Sequence, residues 1–309
     1  MQSFYKGPGH RQSKTTGCGL RSADGPQGWL PDERLVALLD GLYQRYNHRH
    51  LIPPDPLQFV YRYRDPLDQE VVGLLAAVLA YGRVGQICNA IGQVLAYLGP
   101  RPYRRICRLG PSLRQDLAGF RHRFTSGNDI ADLLEVLHAR LPQAGSLQGL
   151  FMSGYDRSSC DILVAIDRFC QALLDTYTHL HGASPGKGLR YLLAMPSSGS
   201  GCKRLNMFLR WMVRDDQVDT GLWKGIEPSC LIVPIDTHIN RICMLLGMHA
   251  GKAVTVEAAV RLTDRFRMIR PDDPVRYDFA LSRVGIVEGC TGRPSARCAR
   301  CGLGQFCLV

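Results

Sequence analysis

The stretch "LLAMPSSGSGCKRLNMFLRWMVR", residues 192–214, decides how the chain is read. An apolar run stops near Met195, Pro196 opens a turn, and residues 197–201 are all Ser or Gly, the glycines taking left-handed backbone angles at little cost. A second helix is predicted to start at Cys202 or Lys203, with apolar residues recurring at helical spacing. Helix, Gly-rich hairpin, helix leaves backbone N–H groups at a helix N-terminus, which suits a phosphate. The plainer reading is a turn between two helices.

Outward from this stretch the pattern stays helical. "DERLVALLDGLYQRY" from Asp32, "DQEVVGLLAAVLAYG" (68–82), "VGQICNAIGQVLAYLG", "GNDIADLLEVLHARL" and "SSCDILVAIDRFCQALLDTY" each repeat apolar residues at helical spacing. "GNDIADLLEVLHARL" opens on an Asn/Asp cap signal. Period-two alternation is almost absent, so an all-α fold is expected. Residues 1–28, with no acid before Asp24, read as a disordered basic tail. With 309 residues and 45% apolar content, the rest can bury one large core or two modest ones.

Charge and thiols narrow the function. Net charge is +11, and 32 of the 38 cationic residues are arginines, which grip phosphate oxygens in a bidentate way. GC-rich codon usage explains the same excess. No apolar run is long enough for a membrane span, and no secretory signal is seen, so a cytoplasmic protein is expected. In that setting twelve cysteines are not read as a disulfide framework; Cys88, Cys170 and Cys243 read as buried small hydrophobes.

Two further motifs carry chemistry. In "LIVPIDTHINRICMLLG", residues 231–247, an apolar extended segment leads to Asp236 at a helix start, where Asp is a favoured N-cap and also a carboxylate able to face a pocket. "CTGRPSARCARCGLGQFC", residues 290–307, places Cys290, Cys298, Cys301 and Cys307 in the pattern C-x7-C-x2-C-x5-C without one acid. Three readings stand: a [4Fe-4S] cluster, zinc on the same thiolates, or no metal.

The order of Gly-rich turn then lysine, Ile-Asp-Thr-His opening a helix, and four terminal cysteines resembles the helix-hairpin-helix DNA glycosylases of the endonuclease III (HhH-GPD) superfamily. "GCKRLNMFLRWMVR" and "PIDTHINRI" are most similar to a bacterial family carrying a domain-of-unknown-function label, DUF2400. The sequence departs from endonuclease III in three ways. Pro196 and Lys203 stand two residues further apart, Ser197 replaces the first hairpin glycine, and the first cysteine gap has one extra residue. The long interval from Lys203 to Asp236 is closer to the archaeal 8-oxoguanine glycosylases.

The resemblance implies two helical lobes over residues 29–289, a helix-hairpin-helix element at about 189–215, and a cluster loop at 290–309. It implies a monomeric base-excision glycosylase with AP-lyase activity, acting on a damaged base in duplex DNA, an oxidised purine such as 8-oxoguanine being the leading candidate. Lys203 would attack the sugar C1′ as a neutral amine, and Asp236 would stabilise the cationic sugar and move protons. His238 reads as a structural hydrogen-bonder. Ser198, Gly199, Ser200, Gly201, Arg204, Arg293, Arg297 and Arg300 would contact the DNA backbone. Tyr81, Arg83, His122, Arg123, Phe124, Trp211 and Trp223 are candidates for the base pocket or the wedge that fills the duplex gap. The cofactor would be a [4Fe-4S] cluster, with zinc as the alternative. A non-catalytic iron–sulfur nucleic-acid-binding protein on the same scaffold is the competing function, and a zinc-stabilised structural protein a third.

Overall fold

Aspartate stands before helix after helix and caps it. Asp32 accepts from Arg34 N, Asp65 from Leu67 N, Asp161 from Leu163 N and Val164 N, and Asp236 from His238 N and Ile239 N. Each side chain satisfies amides that have no partner within the first turn of the helix. The computed structural model describes residues 29–249, 251 and 253–308. The basic tail expected over residues 1–28 lies outside the described residues.

In chain order the helices are α1 (Glu33–Tyr46), α2 (Pro66–Val78), α3 (Val84–Leu98), α4 (Pro102–Ile106), α5 (Leu113–Asp116) and α6 (Gly127–Ala144). There follow α7 (Leu147–Met152), α8 (Ile162–His181), α9 (Lys187–Leu192), α10 (Lys203–Val213), α11 (Thr237–Leu245), α12 (Val256–Ile269) and α13 (Asp278–Ile286). The architecture is all-α. Its described strands form only a two-residue ladder, β1 (Arg121–His122) paired antiparallel with β2 (Thr125–Ser126). The stretch "FRHRF", residues 120–124, is therefore part of a tight hairpin with Arg123 and Phe124 at its tip, Arg123 at φ 55°.

Several boundaries differ from the sequence reading for local reasons. α2 stops at Val78, four residues short, because the chain turns to deliver Tyr81 to the hairpin, where its hydroxyl donates to Thr125 Oγ1 at 2.5 Å. α6 is capped by Ser126, in a reciprocal box with Asp129, and not by the Asn/Asp pair read from sequence. α9 ends at Leu192 instead of near Met195, and residues 196–198 form a separate 3-10 turn. α10 begins at Lys203 as expected.

α10 crosses α2, and that crossing places Lys203. A Cβ on Gly73 would stand 2.9 Å from Met212 Cε and 3.3 Å from the Phe208 ring, so the missing side chain permits the close approach. α1, α11 and α13 pack together, α6 packs on α8 and α9, and one connected set of buried side chains runs through both groups. Trp211 and Trp223, expected near an extruded base, are core residues at 0% and 1% exposure. Trp223 lies between Phe151 and Phe208 and donates its indole N–H to Glu70. Sequence position within the 203–236 interval gave no sign of this; two large apolar rings simply went where apolar area is removed from water.

The thiols also divide differently. Cys170 and Cys243 are buried as expected, Cys88 is only half-buried, and Cys160 is joined to Cys230 as a disulfide. That bridge ties the approach to α8 to the segment leading into Leu231–Ile235 and Asp236. No described helix is long and apolar enough to cross a membrane.

Candidate active site at the start of α10

The segment from Leu193 to Cys202 is held from two sides. Asp167 on α8 accepts from Ser197 N at 3.1 Å and from its hydroxyl at 2.9 Å. Ser200 pairs with Thr255, and Val256 N donates to Gly199 O at 3.3 Å, so the turn rests on the start of α12. Gly199 takes φ +81°, a left-handed angle that favours glycine. Cys202 takes φ 45° and makes no side-chain cap, so the first amides of α10 have no capping side chain.

This geometry alters the expected phosphate contacts. Ser198 N donates to Met195 O, Gly199 N to Pro196 O and Cys202 N to Ser200 Oγ, so these hairpin amides are already used. Ser198 also spends its hydroxyl on Met195 O at 2.6 Å. The helix start itself, at Lys203 to Leu205, is the part left to meet an anion. Gly201 is buried against Val254 and Thr255. Arg204 is corrected more fully. Its guanidinium stacks 4.2 Å from the Tyr191 ring, donates to Val78 O at 2.7 Å and to Tyr191 O, and burial lowers its pKa. It closes the end of α2 instead of presenting charge to solvent.

Lys203 is half-buried, with Nζ donating to Ala80 O at 3.4 Å. It lines a cleft of about 620 Å³ together with Lys187, Arg190, Tyr191 and Ser200. Asp236 is half-buried at the start of α11 and turns Oδ1 to both capping amides at 2.8 Å, which leaves Oδ2 for the site. His238 feels the charge of both. Burial pushes its imidazole below the ordinary value of 6.5; the Asp236 carboxylate opposes this, and the Arg241, Arg283 and Lys203 cations reinforce it. Lys203 and Asp236 thus act on the same ring, from helices that are 34 residues apart at their starts. The ring is wedged on Gly285, and Arg241 approaches Nδ1 at 3.0 Å. The Asp236 cap is therefore established, and a second role for its free oxygen is compatible with it.

A lowered histidine pKa favours the neutral ring in the folded protein. Its stabilising contribution is present above pH 6.5 and is lost as pH falls through that value, where the unfolded chain binds the proton first. The melting temperature is expected to fall between about pH 7 and pH 5, and His238→Gln to flatten that fall, measured by thermal melts across pH.

An aromatic wall rises beside the cleft. The Tyr81 and Phe124 rings stack at 5.2 Å, Tyr191 meets Phe124 edge-on at 4.5 Å, and Phe124 is 54% exposed. Tyr81, Phe124, Arg123 and Arg83 are thus gathered on the exposed side, with Arg83 and Arg123 solvent-facing. His122 is not among them: it is 3% exposed, and its Nε2 lies 3.1 Å from Leu79 O and 3.0 Å from Tyr81 O. Its role is to hold the hairpin against the end of α2. Tyr191, Asp167, Lys187 and Arg190 were not singled out from sequence, although "KGLRY" spaces both cations and the ring by three or four residues on one helix face.

The four terminal cysteines converge. Cys290, Cys298, Cys301 and Cys307 all line one small cavity of about 60 Å³, with Leu245, Leu303 and Arg293. Ser295 N donates to Cys298 Sγ at 3.4 Å. No three Cys, His, Asp or Glu side chains among the described residues stand close enough to hold one metal ion. A mononuclear zinc needs four thiolates at about 2.3 Å from a single point. A multi-iron cluster takes thiolates on different irons and so needs the sulfurs further apart. Four thiols around one cavity supply the donor type that either group takes. Arg293, Arg297 and Arg300 are exposed around it.

A family model described as "Protein of unknown function (DUF2400)" matches residues 55–287, a span that contains Tyr81, Lys203 and Asp236 and ends before Cys290. No curated protein and no solved structure matches the chain.

Proposed function

This chain belongs to the DUF2400 family, and we propose that it is a base-excision DNA glycosylase with AP-lyase activity. The observation that carries the reading is half-buried Lys203 at the uncapped start of α10, in a cationic cleft beside an exposed aromatic wall. On this reading the chain belongs to the HhH-GPD superfamily, with α9, the 193–202 turn and α10 as its helix-hairpin-helix element.

Each residue has a task that its surroundings suit. Lys203 attacks C1′ of the extruded nucleotide and expels the damaged base, forming a Schiff base with the sugar. Asp236, through Oδ2, opposes the positive charge that develops on the sugar and accepts or returns the lysine proton. Phe124 and Tyr81 fill the space that the nucleotide leaves, since extrusion costs a few kcal/mol of stacking that a ring can restore in part. Lys187, Arg190 and the uncapped start of α10 take the flanking phosphates. Cys290, Cys298, Cys301 and Cys307 would hold a [4Fe-4S] cluster, which supplies a rigid cross-link for the loop and, through Arg293, Arg297 and Arg300, a cationic face for the DNA backbone. The substrate on this reading is duplex DNA with a damaged base, an oxidised purine first.

The competing reading, a non-catalytic nucleic-acid-binding protein on the same scaffold, is favoured by the turn whose amides are already bonded internally. Borohydride trapping on duplexes with single lesions separates the two. A covalent protein–DNA adduct on at least one lesion is expected, and its absence across oxidised, deaminated, alkylated and abasic duplexes rejects the lyase.

A further inference from the structure

The four-cysteine loop is fastened to the N-terminal helix through Glu288. Tyr46, the last residue of α1, is 3% exposed and donates its hydroxyl to Glu288 Oε1. Gly302 N donates to Glu288 Oε2 at 3.4 Å, and Arg45 stands 3.7 Å from the carboxylate. Gly302 itself lies against α1: a Cβ there would be 3.1 Å from Leu42 Cδ2. The next residue, Leu303, is fully buried. The carboxylate therefore joins three places distant in sequence: the end of α1, the entry to the loop two residues before Cys290, and the amide directly after Cys301. A shielded carboxylate is costly unless donors surround it, and here each oxygen has its own. Neither Tyr46 nor Glu288 falls within the span that the family model matches.

We propose that Glu288, held by Tyr46, is a positioning residue for the four-cysteine loop, holding Cys290 and Cys301 in place relative to each other for a multi-iron cluster. This rests on the cluster reading of the four cysteines. The physical reason is preorganisation: an exposed, Gly- and Arg-rich loop otherwise loses conformational entropy when it closes on the group. The hydroxyl of Tyr46 and the amide of Gly302 fix the loop's entry and the backbone after Cys301 through one anion.

The test uses the full chain purified without oxygen, and measures iron, acid-labile sulfide and visible absorption before and after a chelator challenge. The wild type is expected to hold about four irons per chain. Glu288→Gln and Tyr46→Phe are expected to lose iron about tenfold faster, as removal of an outer partner does at other metal sites. Glu288→Asp is expected to recover part of the loss, and far-UV circular dichroism to stay unchanged in all three. If Glu288→Gln fails to fold, Tyr46→Phe, which removes one oxygen only, decides. A loaded wild type with equally retentive variants overturns the positioning role and leaves the cluster reading intact. A wild type without iron and sulfide overturns both.

Discussion

Replacing Lys203 by alanine is expected to lower base removal at least about a thousandfold and to abolish the borohydride-trapped adduct, the size of effect that follows loss of a nucleophile or acid–base group. The plainer role for this lysine is a phosphate contact at the uncapped start of α10, and Lys203→Arg distinguishes the roles. Arginine keeps the charge but offers no amine that forms a Schiff base, so a variant as active as wild type leaves Lys203 as a cation only. Duplex affinity in Lys203→Ala should change by less than about tenfold, because one cation among several carries a small part of the phosphate attraction. Asp236→Asn makes the complementary cut. It keeps an oxygen for the two capping amides, so α11 stays in place, while removing the charge that opposes a cationic sugar. Single-turnover base release for these variants is the measurement.

Asp219→Asn is expected to destabilise the fold by about 3–5 kcal/mol, because it leaves two buried guanidinium groups short of charge. Arg210 on α10 and Arg214, the residue that ends it, are each 3% exposed, and Asp219, at 1%, binds both of them. Arg210 also pairs with Asp278, and Arg214 with Asp216 and, in a two-point contact at 2.9 and 3.0 Å, with Asp273. Burial pushes Asp219 up to about 6, the two arginines oppose that, and the carboxylate is ionised at neutral pH. Asp215→Asn is the control. Its carboxylate is 73% exposed beside Lys224, and an exposed pair of that kind is worth about 0–1 kcal/mol. Chemical denaturation of the two variants should separate them by several kcal/mol; equal midpoints would mean that the α10 network is relaxed by water in solution.

The candidate site shows how far residue order reaches. Lys203 and Asp236 were readable because each stands at a helix start behind a turn signal, and such signals are local. Arg204, the neighbour of Lys203, was misread as a phosphate contact. It is drawn inward because Tyr81, just past the end of α2, and Tyr191, on α9, offer two ring faces, while the carbonyls of Val78 and Tyr191 accept from its guanidinium. The same holds for His122 and the two tryptophans. A residue type names a chemistry, and only the neighbours brought by folding decide whether that chemistry faces solvent or the core.

By itself the sequence determined that the chain is helical, the cap at Asp236, the start of α10 at Lys203 and the spacing of the four cysteines. These depend on contacts within a few residues, where side-chain pattern and backbone preference act directly. Tertiary structure alone decided that Lys203 and Asp236 both bear on the charge of His238, that Phe124 is exposed beside Tyr81 and Tyr191, and that Glu288 reaches Tyr46 across 242 residues. Those contacts join segments whose separation along the chain carries no information about distance, and they exist because burying the apolar faces of α2, α10 and α13 leaves few ways to stack them.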